Sequence, residues 1–258
     1  KKINGEIINA DSMQVYKQLK ILTARPNQKN QKKIKHHLYG FQNVNKEFST
    51  GVWLKLAFKK IKEIQKKNRV PILVGGTGLY FKALTDGLAN IPNIPEKLRE
   101  NVRRLHHKLG QNFFFYELIK LDPLVEKYIS SSDSQRSLRA YEVKKFTGKS
   151  LFQFNKGTKS KFKDTTFRKL FINIPKDLLH KKIKKRVDEM FNQGVIDEAK
   201  KFYKIRVKKD LSPNKIIGVK EIQDYLKKKI TLIQAKELIG QKTRQYAKRQ
   251  FTWARGHM

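Results

Sequence analysis

The fold class follows from one segment, Asn4-Gly5-Glu6-Ile7-Ile8-Asn9-Ala10-Asp11-Ser12-Met13-Gln14-Val15-Tyr16. A nearly continuous apolar run leads straight into an acidic and polar cluster, which is typical of a buried parallel strand. Ligands bind at the carboxyl ends of such strands in open α/β sheets. Because Asp11 comes directly after the strand, it is the leading candidate for a general base.

Length and charge narrow the class of protein. With 258 residues, the chain can form one large domain or a main domain with an insertion. The formal net charge is +37, which favours a polyanionic partner: RNA, DNA or an anionic membrane surface. Lysine, asparagine and isoleucine are all abundant, as in proteins from AT-rich genomes, so charge alone does not decide between function and genome composition.

Several classes of site and location are excluded or disfavoured. The chain has no cysteine, which excludes disulfides, zinc–cysteine sites, iron–sulfur clusters and a thiol nucleophile. The composition suits the reducing cytoplasm. No apolar run has the length of a membrane span and no signal peptide is visible, so we expect a cytoplasmic protein. Nothing in the sequence demands more than a monomer.

A second α/β unit follows a polar connection that extends through Tyr39. Apolar residues at helical spacing predict a helix over Gly51–Lys67, capped by Ser49 or Thr50. Val70–Val74 reads as a second buried strand, and a glycine-rich turn separates it from a helix that opens at Leu79. Strand, glycine turn and helix in this order indicate an α/β fold with a parallel sheet.

The remaining chain is mainly helical. From Ile91 to about Thr165 the sequence is polar and helical without a convincing strand, which indicates an insertion. Strand character returns at Lys169–Ile174, followed by a helix that Gly194 ends. Two further helices are predicted after it, the last over Leu232–Arg255.

The turn Gly75-Gly76-Thr77-Gly78 is the second chemical motif. Glycines allow a close approach of a ligand to the backbone, and the amides at the start of a helix favour anions. Thr77 adds a hydroxyl group. A tight turn with a threonine cap would have the same sequence, but together with Asp11 the active-site interpretation is favoured.

The segment from Asp133 to Glu142 is the third motif. Asp133 can cap a helix on which Arg136 and Arg139 lie one turn apart, where paired guanidinium groups suit phosphate or a base edge. The spacing alone slightly favours a solvated charged face, or an ion pair between Arg139 and Glu142.

Two other motifs are less specific. Arg186 could reach a diphosphate, while Asp188 and Glu189 are expected to face solvent. For His36-His37 we expect a surface or packing role, because no nearby carboxylate or helical spacing completes a metal site.

The last helix is amphipathic and basic. Arg244, Lys248 and Arg255 form one stripe suited to a phosphate backbone, and Ala235, Tyr246 and Trp253 lie opposite and are expected to face the core. The apolar face is too narrow for a membrane-surface helix.

Together, and in this order, these blocks resemble the tRNA dimethylallyltransferases, also called tRNA isopentenyltransferases. The resemblance extends over essentially the whole chain. The matching blocks are Gly5–Tyr16, Val70–Tyr80, Gln135-Arg136 with Arg139–Glu142, Arg186–Asp188 with Met190, Ile217–Glu221 and Lys248–Trp253.

The resemblance implies a fold, a reaction and partners. The fold is a P-loop NTPase-like parallel sheet flanked by helices, with a discontinuous catalytic core (1–94 and 166–258) and a helical insertion (95–165) that contacts tRNA. The reaction transfers a dimethylallyl group from its diphosphate to N6 of the adenosine on the 3′ side of the tRNA anticodon. Mg2+ is the implied cofactor, and the anticodon stem-loop and dimethylallyl diphosphate are the implied partners.

Residue roles follow from the same resemblance. Asp11 is the implied general base, Thr77 lines the reaction channel, and Arg186 with Mg2+ offsets charge on the departing diphosphate. The implied tRNA contacts are Asp11, Ser12, Met13, Gln14, Thr77, Arg99, Gln135, Arg136, Ser137, Leu138, Arg139, Ile216–Glu221, Lys248, Arg249, Gln250, Phe251, Thr252, Trp253, Ala254 and Arg255.

The sequence departs from the family pattern at two places. The ATP-binding type of phosphate loop, Gly-x-Thr-x-x-Gly-Lys-Thr, does not occur, and Lys1-Lys2-Ile3 resembles the end of the helix that follows it. We therefore expect that the sequence is truncated before Lys1 and is inactive without the upstream loop. Val219-Lys220 stands where the family has an aromatic residue and an arginine.

The same motifs distinguish this function from three alternatives. An adenylate isopentenyltransferase would not need the basic last helix. A P-loop kinase of small molecules would share the core but not Gln135-Arg136 or Arg139. An RNA-binding protein without enzymatic activity would leave Asp11 and the glycine turn unexplained.

Overall fold

The computed structural model describes residues 3–156, 158–162 and 167–257, so Lys1 and Lys2, expected to end an upstream helix, lie outside the described residues. The elements in chain order are β1 (Gly5–Asn9), α1 (Gln28–Lys33), β2 (His36–His37), α2 (Thr50–Gln65), β3 (Val70–Val74), α3 (Gly78–Thr85), α4 (Glu96–Leu121), α5 (Val125–Tyr128), α6 (Ser134–Thr147), α7 (Leu151–Asn155), α8 (Lys176–Asn192), α9 (Val195–Lys204), α10 (Val219–Leu226) and α11 (Leu232–His257). Contacts divide the chain into two compact units, residues 1–83 with 165–258, and residues 84–164. Among the described helices, none has the length and apolar character needed to cross a membrane.

The first unit is built on a three-stranded parallel sheet in the order β2-β1-β3. The central strand β1 buries Ile8 and Asn9 completely. In the register, Ile7 lies beside His36 on one side and Ile72 on the other. This arrangement confirms the predicted α/β fold with helices around a parallel sheet.

One buried carboxylate connects all three strands. Glu6 of β1 is only 2% exposed, and its oxygens lie 2.6 Å from His37 Nε2 on β2 and 2.6 Å from an Arg69 guanidinium nitrogen just before β3. His37 therefore has a packing role, as predicted, and its carboxylate partner is distant in the sequence. The pairing joins residues far apart in the sequence, and the polar connection that contains α1 and β2 was predicted without regular structure.

Two strand predictions need correction. Val70 and Val74 are 47% and 46% exposed, so β3 is an edge strand and not a buried one. Residues 169–174 are not a strand, and Leu170 and Ile172 are 75% and 83% exposed. The physical reason is the same in both places: within the described ranges, β3 has a partner on one side only and residues 169–174 have none.

Helix α2 closes over the carboxyl end of β1. It begins where predicted, because the Ser49 hydroxyl accepts the Val52 N–H at 3.3 Å. Trp53 is completely buried, its indole N–H donates to the Asn9 carbonyl at 2.8 Å, and its ring stacks on Tyr80 at 4.1 Å. The helix thereby fixes the backbone two residues before Asp11.

The last four helices form the larger apolar core with the chain that follows β1. Ile183 and Val187 of α8 are buried, and they pack in one cluster with Leu19. Three helices follow Gly194, where the sequence predicted two, because α9 and α10 are separate helices joined through a short 3-10 turn at Ser212–Lys215. Glu198 of α9 accepts the three backbone N–H groups of residues 20–22 at 2.7–3.0 Å, which anchors the loop.

The second unit consists of helices α4 to α7, and its described residues contain no strand, as predicted for the segment. Helix α4 is kinked at Gly110, where φ is 72° and a side chain would be strained. Phe115 and Leu118 of α4 pack against Ala140 of α6 in a separate apolar cluster. This unit therefore has its own core.

Candidate active site

The Asp11 backbone is held by a buried asparagine. Asn9 is completely buried, its Oδ1 accepts the Asp11 N–H at 2.8 Å, and its Nδ2 donates to the carbonyls of Asp11 at 2.9 Å and Leu38 at 3.0 Å. The Asp11 carboxylate accepts the Met13 N–H at 2.8 Å. The side chain at the end of β1 therefore has a fixed orientation. Sequence reasoning missed Asn9, and its only signal was an amide inside an otherwise apolar strand.

Burial, backbone N–H groups and a nearby positive charge all act on the acidity of Asp11. Burial raises the pKa of Asp11, while N–H groups of Met13 and Gln14 and the positive charge of Arg186 act in the opposite direction. Burial together with the Asp11 charge raises the pKa of Tyr39 to about 12. The same two causes, with Tyr16 a further contributor, raise the pKa of Tyr80. Asp11 is thus a half-buried carboxylate near phenols and one guanidinium group.

Thr77 lies directly against the Asp11 loop. Its Oγ1 accepts the Ser12 N–H at 2.9 Å and donates to the Ser12 hydroxyl at 3.2 Å. The Thr77 N–H donates to the Ala10 carbonyl at 3.1 Å. The structure therefore brings together Asp11 and Thr77, which stand 66 positions apart in the sequence.

The neighbouring residues of the loop are less accessible than their predicted role implies. Met13 is half-buried and packs against the large apolar core, and the Gln14 side-chain amide donates to the Thr23 carbonyl at 2.9 Å. Both side chains therefore help to stabilise the fold around the loop.

The glycines of the turn make room for protein. A Cβ at Gly75 would overlap the Ala10 backbone, one at Gly76 would overlap the Gln250 side chain, and one at Gly78 would overlap the Trp253 ring. These glycines therefore allow close packing of the protein chain, and not the approach of a ligand as predicted. They let β1 and α11 approach the turn closely.

The opposite face of α11 is also placed differently from the prediction. Ala235 is buried as expected, but Tyr246 and Trp253 are half-buried and belong to the face against the glycine turn. Gln250 Nε2 donates to the Gly76 carbonyl at 3.2 Å, and Tyr246 lies one helical turn before Gln250. This part of α11 therefore packs against the glycine turn.

Arg186 of α8 is open to solvent over part of its surface and is surrounded by protein elsewhere, and its charge acts on Asp11. Desolvation by the surrounding protein lowers the pKa of Arg186, and the Asp11 carboxylate opposes this shift. Glu189 is exposed as predicted, whereas Asp188 is half-buried and forms an ion pair with Lys236 at 2.9 Å. Arg186 is therefore the cation of α8 that couples to the candidate base.

The outer surface of α11 is basic over its last turns. The exposed side chains there are Lys248, Arg249, Phe251, Thr252 and Arg255, and Arg244 is half-buried. The Arg249 guanidinium lies 5.5 Å from the centre of the Tyr246 ring, and that of Arg255 lies 5.8 Å from the Phe251 ring. Ala254, expected at this surface, is only 4% exposed and packs inward.

The second unit presents a smaller basic face on α6. Asp133 caps the helix as predicted, accepting the Arg136 N–H at 3.0 Å, and the Arg136 side chain is 70% exposed. Arg139 lies 3.5 Å from Glu142, so the alternative ion pair is present. Gln135 is exposed, and Leu138 and Arg99 are half-buried.

Ser137 and most of Ile216–Glu221, both expected to contact tRNA, are buried or partly buried and stabilise the fold. Ser137 is completely buried and its hydroxyl donates to the Asp133 carbonyl at 2.7 Å, so it belongs to the helix start and not to the surface. Within Ile216–Glu221, Lys220 is the exposed residue. Glu221 is buried, accepts the Gly218 N–H at 2.8 Å and forms an ion pair with Lys242.

Comparisons with known proteins identify the family of the chain. The IPP transferase family model matches residues 14–257. The tRNA dimethylallyltransferase of Pelagibacter ubique is 57% identical over the whole chain and 82% of that protein, and the Rickettsia massiliae protein of the same name is 46% identical over 98% of this chain and 70% of its own length.

Solved structures give the same result. The tRNA isopentenylpyrophosphate transferase of Bacillus halodurans has a TM-score of 0.68 at 34% identity, over 98% of this chain and 79% of that one. A eukaryotic dimethylallyltransferase, described as acting on tRNA, has a TM-score of 0.79 at 30% identity, over 98% of this chain and 64% of that one. The chain therefore belongs to the tRNA dimethylallyltransferase family of prenyltransferases.

Proposed function

We propose that this protein transfers a dimethylallyl group from dimethylallyl diphosphate to N6 of the adenosine on the 3′ side of a tRNA anticodon. The observation that carries the proposal is the fixed pair of Asp11 and Thr77 at the carboxyl end of β1, in a chain that belongs to this family. A hydrogen-bonded carboxylate in this position is suited to accept a proton from an amine.

The proposed chemistry is a single displacement. The N6 amine of adenine attacks the allylic C1 carbon, the C1–O bond breaks, and its electron pair leaves with the diphosphate. The proton lost by N6 passes to the Asp11 carboxylate, which acts as general base. Arg186, whose charge already acts on Asp11, offsets the negative charge that develops on the diphosphate.

The acidity of Asp11 supports this role. Burial raises the pKa of its carboxyl group, so the ionised form is a stronger proton acceptor than an exposed aspartate. Thr77, held against Ser12, lines the same place. The target base reaches these groups only after leaving its stack.

We assign tRNA binding to the exposed basic and polar side chains of both units. On α11 these are Lys248, Arg249, Phe251, Thr252 and Arg255, and on the second unit Gln135, Arg136 and Arg139. Ser12, Met13, Gln14, Thr77, Arg99, Leu138, Gln250 and Trp253 complete the proposed set, and the buried Ser137 and Ala254 are left out. Residues 1–94 with 166–258 form the proposed catalytic core, and 95–165 the proposed tRNA-contacting insertion.

The described residues around Asp11 do not fit a magnesium ion. Among the described residues, no three His, Asp or Glu side chains come together in a group that could hold a metal ion. The neighbours of Asp11 are phenols and Arg186, which do not suit a magnesium site. The Gly-x-Thr-x-x-Gly-Lys-Thr loop is not within residues 1–258, and Arg186 is the diphosphate-binding residue assigned here. We further propose a monomer that acts in the cytoplasm, where its tRNA substrate is made and used.

The test uses the complete gene product with dimethylallyl diphosphate and either tRNA or free adenosine monophosphate. We expect incorporation of the prenyl group into tRNA and none into the free nucleotide. Incorporation into the free nucleotide with none into tRNA would instead support an adenylate isopentenyltransferase.

A further inference from the structure

A single carboxylate of α9 holds the turn that follows the Asp11 loop. Glu198 is half-buried and accepts the consecutive backbone N–H groups of Lys20, Ile21 and Leu22 at 2.7–3.0 Å. Adjacent amides that converge on one anion form strong, charge-assisted hydrogen bonds. The partners stand 176–178 positions apart in the sequence, so this contact exists only in the folded chain.

The turn is hydrogen-bonded within itself, so its carbonyl groups are fixed together with its amides. The Ala24 N–H donates to the Ile21 carbonyl at 3.0 Å, and the Arg25 N–H donates to the Lys20 carbonyl at 3.0 Å. Ala24 has a φ of 49°, in the left-handed region that residues with a side chain rarely adopt. Such a conformation persists only where the surrounding structure holds it, and the hydrogen bonds to Glu198 at the start of the turn do so.

The carbonyl groups of this turn orient the side-chain amide of Gln14. Its Nε2 donates to the Thr23 carbonyl at 2.9 Å and to the Ala24 carbonyl at 3.3 Å, which uses both N–H donors of the amide. Because both partners are acceptors, they also decide which end of the amide is nitrogen. The Gln14 Oε1 atom therefore stays available as an acceptor, and no described residue donates to it.

We propose that Glu198 is a positioning residue for tRNA recognition: it fixes the turn whose carbonyl groups present Gln14 Oε1 as a hydrogen-bond acceptor, in the segment that directly follows Asp11. This inference rests on the proposed function. An acceptor suits an N–H or O–H donor of the tRNA, and not a phosphate group, whose oxygens are themselves acceptors. Both oxygens of Glu198 are occupied by the turn, so its effect on tRNA passes through Gln14.

The negative charge of Glu198 offers a second explanation, and the two explanations predict opposite signs. If charge alone acts, removal of a carboxylate strengthens the binding of a polyanion. If positioning acts, its removal weakens tRNA binding. Asp197 is the matched control, because it is the preceding residue in the same first turn of α9, is 74% exposed and pairs with Lys200 at 3.6 Å.

The experiment compares Glu198→Ala and Asp197→Ala in the complete gene product, and combines Glu198→Ala with Gln14→Ala in a double-mutant cycle. Loss of one neutral hydrogen bond to tRNA predicts that Glu198→Ala raises KM for tRNA about three- to tenfold, with kcat and KM for dimethylallyl diphosphate unchanged. Because the effect passes through Gln14, Glu198→Ala should not raise KM further in the Gln14→Ala background. Asp197→Ala should not raise KM for tRNA.

Glu198→Gln covers the case that Glu198→Ala does not fold. It keeps one acceptor oxygen for the turn, so KM for tRNA should rise by a smaller factor. Three results would overturn the inference: an unchanged KM for tRNA in every Glu198 variant that folds, an equal rise in Asp197→Ala, or multiplicative losses with Gln14→Ala. Failure of the unmodified protein to prenylate tRNA would instead refute the proposed function, so the two failures are distinguishable.

Discussion

The substitution Asp11→Asn separates the chemistry of the carboxylate from its structural role. Asparagine has nearly the same size and keeps the Oδ1 atom that accepts the Met13 N–H at 2.8 Å. What it loses is the negative charge and the capacity to take a proton at neutral pH. We therefore expect a folded protein that binds tRNA normally and transfers the prenyl group slowly.

The magnitude follows from these contacts. Removal of a positioned general base lowers kcat by about 10²–10⁴, or roughly 3–5 kcal/mol of barrier. The free energy of unfolding should not fall. Burial raises the folded-state pKa of Asp11 above its ordinary value of 3.8, so ionisation destabilises the fold as the pH rises through that value. Asp11→Asn cannot ionise, so it does not have this loss of stability.

The assay is single-turnover prenyl transfer with excess enzyme, measured over a range of pH. The unmodified protein should gain activity as the pH rises through the raised pKa of Asp11, and the variant should lose this dependence. Asp188→Asn is the control, because Asp188 is a half-buried aspartate on α8 that pairs with Lys236. Unchanged turnover of Asp11→Asn would refute the assignment of the base.

Three further outcomes are expected. Arg136→Ala keeps the helix cap, because Asp133 accepts the backbone N–H of residue 136. The variant should bind tRNA more weakly, and the slope of log affinity against log salt should fall by about one. A flat salt dependence of the unmodified protein would show that the basic faces do not bind phosphates. Glu6→Gln should lower the unfolding free energy by about 3 kcal/mol at neutral pH in urea titrations. The hydrogen bond from His37 lowers the pKa of Glu6 below 4.5, although burial acts in the opposite direction. The stability that ionised Glu6 adds is therefore present above pH 4.5 and disappears as the pH falls through the folded-state pKa. Equal losses of stability at pH 7 and at acid pH would contradict this prediction. Gly78→Ala should cost about 1–3 kcal/mol through overlap with Trp253, whereas Gly256→Ala, where a Cβ meets nothing within 4 Å, should be neutral.

The sequence predicted the parts of the fold that follow from local pattern. The strand before Asp11, the Ser49 cap, the spacing of buried residues on α2 and the Asp133 cap are all determined by neighbours within a few positions. Such signals depend on periodicity and on single side-chain hydrogen bonds, which leave a clear mark in one sequence.

The errors concern residues whose environment is set by distant parts of the chain. Residues 169–174 have an apolar composition typical of a strand, but a strand requires a partner, and none is present in the described ranges. Tyr246 has the spacing of a core residue but is only half-buried, and nothing in the sequence indicates that Gln250 and Trp253 of the same helix pack against the glycine turn. Glu6 similarly gains His37 and Arg69 through sheet pairing.

The candidate site was predicted in composition more than in arrangement. Motifs and a family resemblance predicted Asp11, Thr77 and Arg186 as site residues. In the structure, Thr77 contacts the loop that carries Asp11, and the charge of Arg186 acts on the Asp11 carboxylate. Buried Asn9, which orients Asp11, left no signal that distinguishes it from an ordinary polar residue in a strand.

The most direct test of the central claim is the nucleoside composition of tRNA after incubation with the complete gene product and dimethylallyl diphosphate. The tRNA is digested and its nucleosides are separated and weighed by mass spectrometry, with RNase fragments used to locate the change. We expect one added dimethylallyl group on N6 of the adenosine on the 3′ side of the anticodon, and none in the reaction with Asp11→Asn. A prenyl group on another nucleoside, or none in tRNA, would contradict it.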